Sequence, residues 1–185
     1  LMNGASFVAV LIALACLRTA ELRSNARARR ARGSFTEGFR YVWGRPDLKA
    51  ILVMLFLIGT FGLNFPIFIS TMVVGVFHTD AQGYGLLSSA MAIGTVAGSL
   101  LNASREKPRF QLLLTGSAIF GLGCAVSAIA PGYWFFAAAL VVTGMAALTI
   151  SNTSNSLMQL STEPAMRGRV MALRVAIALG GTPIG

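Results

Sequence analysis

The side chains best suited to chemistry in this sequence are uncharged hydroxyls and amides that lie inside long apolar stretches. Four of them recur at spacings of three, one and three residues and therefore share one face of a helix: Thr149, Asn152, Thr153 and Ser156. Such groups both donate and accept hydrogen bonds, so this face suits either a watery passage for a polar or amphipathic compound or a hydrogen-bonded helix contact. Because so many polar groups are costly against lipid, we expect this face to be turned away from lipid. Of the two remaining roles we prefer the passage.

A second polar position is Asn64, which lies two residues before Pro66 in another apolar stretch. Pro66 has no backbone N–H to bond the carbonyl of Gly62, so we expect the helix to bend there. An amide beside a bend predicts either part of the wall of a passage or an interhelical hydrogen bond. The sequence alone favours neither, and we count Asn64 among the expected passage residues.

The residues needed for enzymatic chemistry do not come together in this sequence. No Asp, Glu, Lys or His lies in the middle of an apolar stretch, Cys16 and Cys124 fall in different stretches, and His78 is the single histidine. No metal-binding cluster, phosphate-binding loop or nucleophile motif is present. The sequence therefore predicts a protein that is not an enzyme and holds no metal or cofactor.

The composition indicates which elements must hold these polar groups in place. Of the 185 residues, 55% are hydrophobic and 11% are charged, whereas soluble domains have about 25% charged residues. Residues 50–74 and 110–131 each exceed the ~20 apolar residues that a helix needs to cross a bilayer. The alternating polarity of a barrel strand is absent from the sequence. We therefore predict an all-α transmembrane protein.

The apolar residues form six segments: 2–17, 50–74, 83–103, 111–130, 133–157 and 170 onward. The first and the last contribute 16 residues each, which is short of a full span. We therefore expect an internal piece of a larger membrane protein with a partial span at each end. In the third segment, Ala90, Gly94 and Gly98 form a small-residue ridge that predicts close packing against another helix.

The basic residues all fall in alternate connections between these segments. All 15 Lys and Arg lie in the first, third and fifth connections or at their borders. This pattern predicts that these connections are cytoplasmic in a plasma (cytoplasmic) membrane, beside anionic lipid. It accounts for the net charge of +9 without nucleic-acid binding. Arg174 follows Arg169 by about one helical turn, and we expect its side chain to extend toward the inner headgroups.

Three stretches of the sequence resemble the major facilitator superfamily, in the branch that includes the enterobactin exporter and related drug or siderophore efflux proteins: GFRYVWGRPDLKAILVMLFLIGTFGLNFPIF (38–68), YGLLSSAMAIGTVAGSLL (84–101) and MRGRVMALRVAIALGGTPIG (166–185). The resemblance implies an MFS-type helical bundle from the end of helix six to a truncated helix eleven. Residues 1–17 would be the end of transmembrane helix six, 18–49 a central cytoplasmic link with an amphipathic helix, and 50–185 the C-terminal bundle of helices seven to eleven.

The resemblance also implies a cytoplasmic gate built from two loops. Asn102 and Lys107 match positions of the superfamily's loop signature between helices eight and nine, where Asn102 replaces an acid. Arg167 and Arg169 match the Arg-Gly pattern that follows helix ten, and Glu163 lies just before them. Glu163 is the expected partner of the two arginines.

The function that the resemblance implies is secondary-active export of a small amphipathic compound, a drug or a siderophore, by alternating access. The expected driving force is a proton gradient, and the expected partners are the lipid bilayer, the small-molecule substrate and the missing N-terminal half of the same chain. Because the segments carry no carboxylate at membrane depth, we expect the coupling residue in the missing parts. The alternative is a non-transporting membrane scaffold or sensor, in which the polar face of segment 133–157 would be packed and dry.

Overall fold

A computed structural model describes Cys16 and residues 34–62, 64–104 and 108–181. The chain divides into two compact units, Leu1–Arg32 and Gly33–Gly185. In the first unit only Cys16 is described, so the partial span predicted at 2–17 and the basic stretch that follows it lie outside the described residues. The fold reported below is that of the second unit.

Every regular element in the described ranges is an α-helix. These ranges contain seven helices: α1 (Ser34–Trp43), α2 (Pro46–Phe61), α3 (Phe65–Gly75), α4 (Ala81–Ala103), α5 (Phe110–Ala128), α6 (Tyr133–Ser161) and α7 (Arg167–Gly181). The first of them is the helix predicted within the cytoplasmic link.

The ends of several helices follow directly from the local sequence. Asp80 caps α4, because its carboxylate accepts hydrogen bonds from the backbone N–H groups of Gln82 (3.0 Å) and Gly83 (3.3 Å). Pro46 and Pro66 lie in the first turns of α2 and α3, where a missing backbone N–H leaves no intrahelical bond unmade.

The bend predicted near Pro66 is confirmed, and it is a full interruption between two helices. Helix α2 ends at Phe61 and α3 begins at Phe65. The Asn64 carbonyl accepts the first hydrogen bonds of α3, from the backbone N–H groups of Ile67 (3.0 Å) and Phe68 (3.1 Å). One apolar segment therefore forms two consecutive helices.

The length and hydropathy of the helices fit a membrane protein. In the part of the chain that the structure describes, four stretches are long and apolar enough to cross a bilayer: Pro46–Gly75, Ala81–Ala103, Phe110–Ala128 and Tyr133–Ser161. Large apolar side chains cover the outside of these helices; Phe61, Ile93, Leu122 and Trp134 are between 64% and 76% exposed. A patch of this kind is unfavourable in water and suits lipid. The all-α transmembrane fold is thus confirmed.

Helix α6 packs along both α4 and α5 and gives the unit its core. Leucines from the three helices, Leu87, Leu113 and Leu140, are fully or almost fully buried around it. At the end where α6 begins, Phe77 packs against the Tyr133 ring, with centroids 5.5 Å apart. The Tyr133 hydroxyl also donates a hydrogen bond to a backbone carbonyl of α4 (2.8 Å).

The opposite end holds the C-terminal ends of α4 and α6 and the N-terminal ends of α5 and α7, and we call it the inner end. Pro108 and Ser156 line one cavity there, which brings the connection after α4 close to the end of α6. Arg169 of α7 pairs with Glu37 of α1 across a distance of 3.1 Å. The described parts of the three basic connections therefore lie at one end, as the charge pattern predicts.

Candidate functional site

A polar cavity of about 300 Å³ lies between the inner ends of α4, α5 and α6. Six of the nine residues that line it carry hydroxyls or amides: Ser99, Asn102, Asn152, Thr153, Asn155 and Ser156. Its apolar lining comes from Ala103 of α4 and from Pro108 and Leu112 at the start of α5. Asn152 and Ser156 precede the end of α6 by nine and five positions, which places the cavity about 7–13 Å from that end.

Asn102 contributes a hydrogen-bond donor with no partner in the described ranges. Its side-chain nitrogen is buried and makes no hydrogen bond there. The Asn102 amide thus lies in the wall of the cavity with an unused donor. A buried donor of this kind is costly unless a ligand or water accepts from it.

The cavity brings together several of the predicted passage residues but not all of them. Thr149 does not line this cavity in the described structure, and its hydroxyl donates to the Met145 carbonyl of its own helix (2.9 Å). Asn64 lies at the start of α3, where it is 9% exposed and where the neighbouring Phe65 packs edge-on against Phe120 with centroids 5.9 Å apart. This cavity therefore includes Asn152, Thr153 and Ser156 of the expected passage residues, but neither Asn64 nor Thr149.

Two further cavity residues, Ser99 and Asn155, are absent from the sequence-based site. Ser99 lies three positions before Asn102 on α4, and Asn155 lies three positions after Asn152 on α6. The same helical spacing that identified the other polar residues would have found them.

The small-residue ridge of α4 lies against the backbone of α6. A Cβ added at Gly98 would lie 2.6 Å from the Met145 carbonyl oxygen, and one added at Gly94 would overlap the Val141 carbonyl. Ala90, one turn earlier on the helix, is half-buried. This closed contact adjoins the polar cavity and holds its two main walls together.

Charged residues form a separate cluster at the inner end. The Arg169 guanidinium pairs with the Glu37 carboxylate at 3.1 Å. Gly38 lets α1 and α7 approach closely, because a Cβ added at Gly38 would lie only 3.2 Å from the Cβ of Arg169. The predicted pairing of Glu163 with the arginines is wrong for Arg169, because α1 packs across the start of α7 and delivers Glu37 instead.

The remaining predicted gate residues have backbone contacts or are not described. The Arg167 Nε donates to the Thr162 carbonyl (3.2 Å). The backbone N–H of Glu163 donates to the Tyr41 hydroxyl of α1 (3.4 Å), and its carbonyl accepts from the backbone N–H of Arg167 (3.1 Å). Lys107 lies outside the described residues.

A second ion pair lies at the corner between α1 and α2. The Arg45 guanidinium donates two hydrogen bonds to the Asp47 carboxylate, at 3.2 and 2.9 Å. This hydrogen-bonded carboxylate raises the pKa of Arg45 above its ordinary value. On the neighbouring α1, the exposed Phe39 and Trp43 rings stack with centroids 5.0 Å apart.

The prediction that Arg174 extends toward the inner headgroups is wrong, because its side chain lies against α6. Its Nη2 donates to the Ser151 carbonyl (3.0 Å) and lies 3.4 Å from the Ser154 hydroxyl. Ser151 precedes the end of α6 by ten positions, or about 15 Å. The half-buried guanidinium therefore bonds to a carbonyl on an exposed part of α6, well in from the inner end, and the sequence alone does not place that carbonyl beside it.

The comparisons with known proteins agree with this helical architecture. The chain matches the family described as transmembrane secretion effector, of the MFS group, over residues 1–185. It is 28% identical over 154 residues to the multidrug efflux pump Tap of Mycolicibacterium fortuitum, and this match covers 80% of the chain and 37% of that protein. No solved structure gives a significant match. Because the family match spans the whole chain, this multi-pass membrane protein belongs to the transmembrane secretion effector family of the major facilitator superfamily.

Proposed function

We propose that this chain forms most of the second half of a secondary-active exporter in the plasma (cytoplasmic) membrane. In this proposal the complete protein moves a small amphipathic compound outward by alternating access, with the two halves rocking about the substrate path. The observation that carries the proposal is the cavity of about 300 Å³ lined by hydroxyls and amides within otherwise apolar helices. The name of the relative, a multidrug efflux pump, supports export.

The shape of the α4–α6 contact favours a passage over simple packing. Where the helices meet at Gly94 and Gly98, no room remains for a Cβ. Toward the inner end the polar cavity lies between the same two helices and the start of α5. A scaffold that used Asn152 and Asn102 only to hold its helices together would be expected to close this gap with direct hydrogen bonds.

The energy source in this proposal is the proton gradient. The sequence ranges Ala81–Ala103, Phe110–Ala128 and Tyr133–Ser161 contain no Asp or Glu. A proton-binding carboxylate at membrane depth would therefore come from another part of the complete protein. The residues of this chain would supply neutral hydrogen-bonding groups for the substrate.

The test replaces one cavity amide by a side chain of similar size in the complete transporter. Asn152→Leu should lower the rate of efflux of a fluorescent amphipathic compound from proteoliposomes, because it removes both a donor and an acceptor from the cavity wall. Gln111→Leu is the matched control: it also removes an amide at the inner end, but Gln111 is exposed and is not part of the cavity lining.

Two outcomes separate a passage from a packing contact. Loss of efflux by Asn152→Leu, with unchanged thermal stability and an active Gln111→Leu control, supports the passage. If Asn152→Leu lowers stability and the protein that remains folded transports normally, Asn152 is a packing residue and the proposed role of the cavity is wrong.

A further inference from the structure

Arg174 carries a positive charge at a depth where the other polar groups around it are neutral. It lies seven positions after the start of α7, or about 10 Å along the helix axis. Its two contacts, the Ser151 carbonyl and the Ser154 hydroxyl, lie about 15 and 10 Å from the inner end of α6. A charge at such a depth in a membrane protein needs a partner, and it commonly marks a functional site.

No described carboxylate is that partner. Within the described ranges, the ion pairs formed at 4.0 Å or less are Arg45 with Asp47 and Arg169 with Glu37, and neither includes Arg174. The Nε of Arg174 is itself buried and has no hydrogen-bond partner among the described residues.

The two other described acids lie far from this position. Asp80 caps α4 at the opposite end of the bundle. Glu163 lies in the connection between α6 and α7, where it is exposed. In the described ranges, the charge of the guanidinium therefore has no acidic partner, and its buried Nε–H group has no hydrogen-bond acceptor.

The surroundings of the guanidinium suit an anionic ligand. Ser151, whose carbonyl accepts from Arg174, is followed on α6 by Asn152, which lines the polar cavity, and both residues are exposed. A guanidinium pairs with carboxylates through parallel hydrogen bonds, and these are stronger than hydrogen bonds between neutral groups.

We propose that Arg174 binds the carboxylate of an acidic amphipathic compound that the transporter exports. This inference rests on the proposed export function and adds the charge of the substrate to it. The neutral groups of the cavity then bind the rest of the compound, and Arg174 distinguishes an acid from its neutral analogue. A carboxylate from the other half of the transporter is the competing source of the same chemistry.

The experiment compares an acid with its amide in the complete transporter. N-dansyl-norleucine and its carboxamide have nearly the same size and fluorescence, but only the first carries a carboxylate. We expect Arg174→Gln to raise the KM for the acid about tenfold or more and to leave the KM for the amide nearly unchanged. Arg40→Gln, which removes an exposed charge from α1, should change neither value.

The variants distinguish the two sources of the carboxylate. Equal loss of transport for both probes in folded Arg174→Gln protein would mean that Arg174 serves a carboxylate of the protein, and the inference would be wrong. Unchanged kinetics for both probes would mean that Arg174 only links α7 to α6 through its hydrogen bonds. That result would also overturn the inference. If Arg174→Gln fails to fold, Arg174→Lys provides the test. Lysine keeps the charge but lacks the paired N–H donors of a guanidinium, so the KM for the acid should rise while that for the amide stays the same.

Failure of this inference can be told apart from failure of the proposed function. Wild-type protein that exports the amide and rejects the acid overturns the charge assignment alone. Wild-type protein that moves neither probe contradicts export. In that case the equilibrium binding of the acid, followed by dansyl fluorescence, decides whether Arg174 binds a carboxylate.

Discussion

The contact between α4 and α6 gives the sharpest stability prediction, because backbone atoms form its far side. A Cβ at Gly94 would overlap the Val141 carbonyl and lie 2.8 Å from its carbon. Helical backbone cannot rotate aside as a side chain can, so the two helices would have to separate. Gly94→Ala should therefore cost about 1–3 kcal/mol through overpacking, of which the better helix propensity of Ala offsets up to about 1 kcal/mol.

Gly121 provides the matched control on α5. A Cβ at Gly121 would meet nothing within 4 Å in the described structure, so Gly121→Ala should only gain helix propensity, up to about 1 kcal/mol. The two substitutions are chemically identical but should change the free energy of unfolding in opposite directions. A difference of about 2 kcal/mol between them is expected.

The measurement is SDS-induced unfolding of the complete transporter in mixed micelles, followed by circular dichroism. The prediction requires Gly94→Ala to unfold at lower SDS than wild type and Gly121→Ala to unfold at the same or higher SDS. If Gly94→Ala is as stable as Gly121→Ala, the close approach of α4 and α6 is wrong.

Three further predictions concern the two ends of the bundle. Tyr133→Phe should lower the free energy of unfolding by about 0.5–1.5 kcal/mol, because it removes one hydrogen bond to α4; an unchanged SDS midpoint would contradict it. A double-mutant cycle of Glu37→Gln and Arg169→Gln should give a coupling of about 0.2–1 kcal/mol that shrinks as salt is added, and salt-independent coupling would argue against an ion pair. In a background without native cysteines, Thr79→Cys should react with an impermeant thiol reagent from outside the cell and Arg40→Cys should not; equal labelling would refute the topology.

Periodicity within a single segment was sufficient to predict the local features of the fold. The helices, the break at Asn64 and the face shared by Asn152 and Ser156 all depend on residues that are close in the sequence. The small-residue ridge was predictable from the same local spacing, and Gly94 of this ridge lies against the backbone of α6. Two helices can approach this closely only where one of them carries no bulky side chain.

The partners of charged residues depend on tertiary packing and were harder to predict. Glu163 is six residues from Arg169, but α1 packs on α7 and supplies Glu37 from far away in the sequence. The sequence predicts that Arg174 extends toward the inner headgroups, whereas in the structure it donates a hydrogen bond to the Ser151 carbonyl of the adjacent helix. In both cases the sequence shows which residues are charged but not which helix lies next to them.

The position of Asn64 illustrates the same limit for neutral groups. The sequence places Asn64 near the middle of its apolar segment, whereas its distance from Asn152 depends on how α3 packs against the bundle. The cytoplasmic side of the basic connections, the proton coupling and the role of the gate residues stay predictions.

The measurement that tests the central claim most directly is gradient-driven transport by the complete protein in proteoliposomes. With a proton gradient imposed, the account predicts directional movement of a fluorescent amphipathic compound that stops when an uncoupler is added and is strongly reduced by Asn152→Leu. Folded, membrane-inserted protein that moves neither an acidic nor a neutral compound under a gradient of either direction would contradict the exporter and favour a scaffold or sensor.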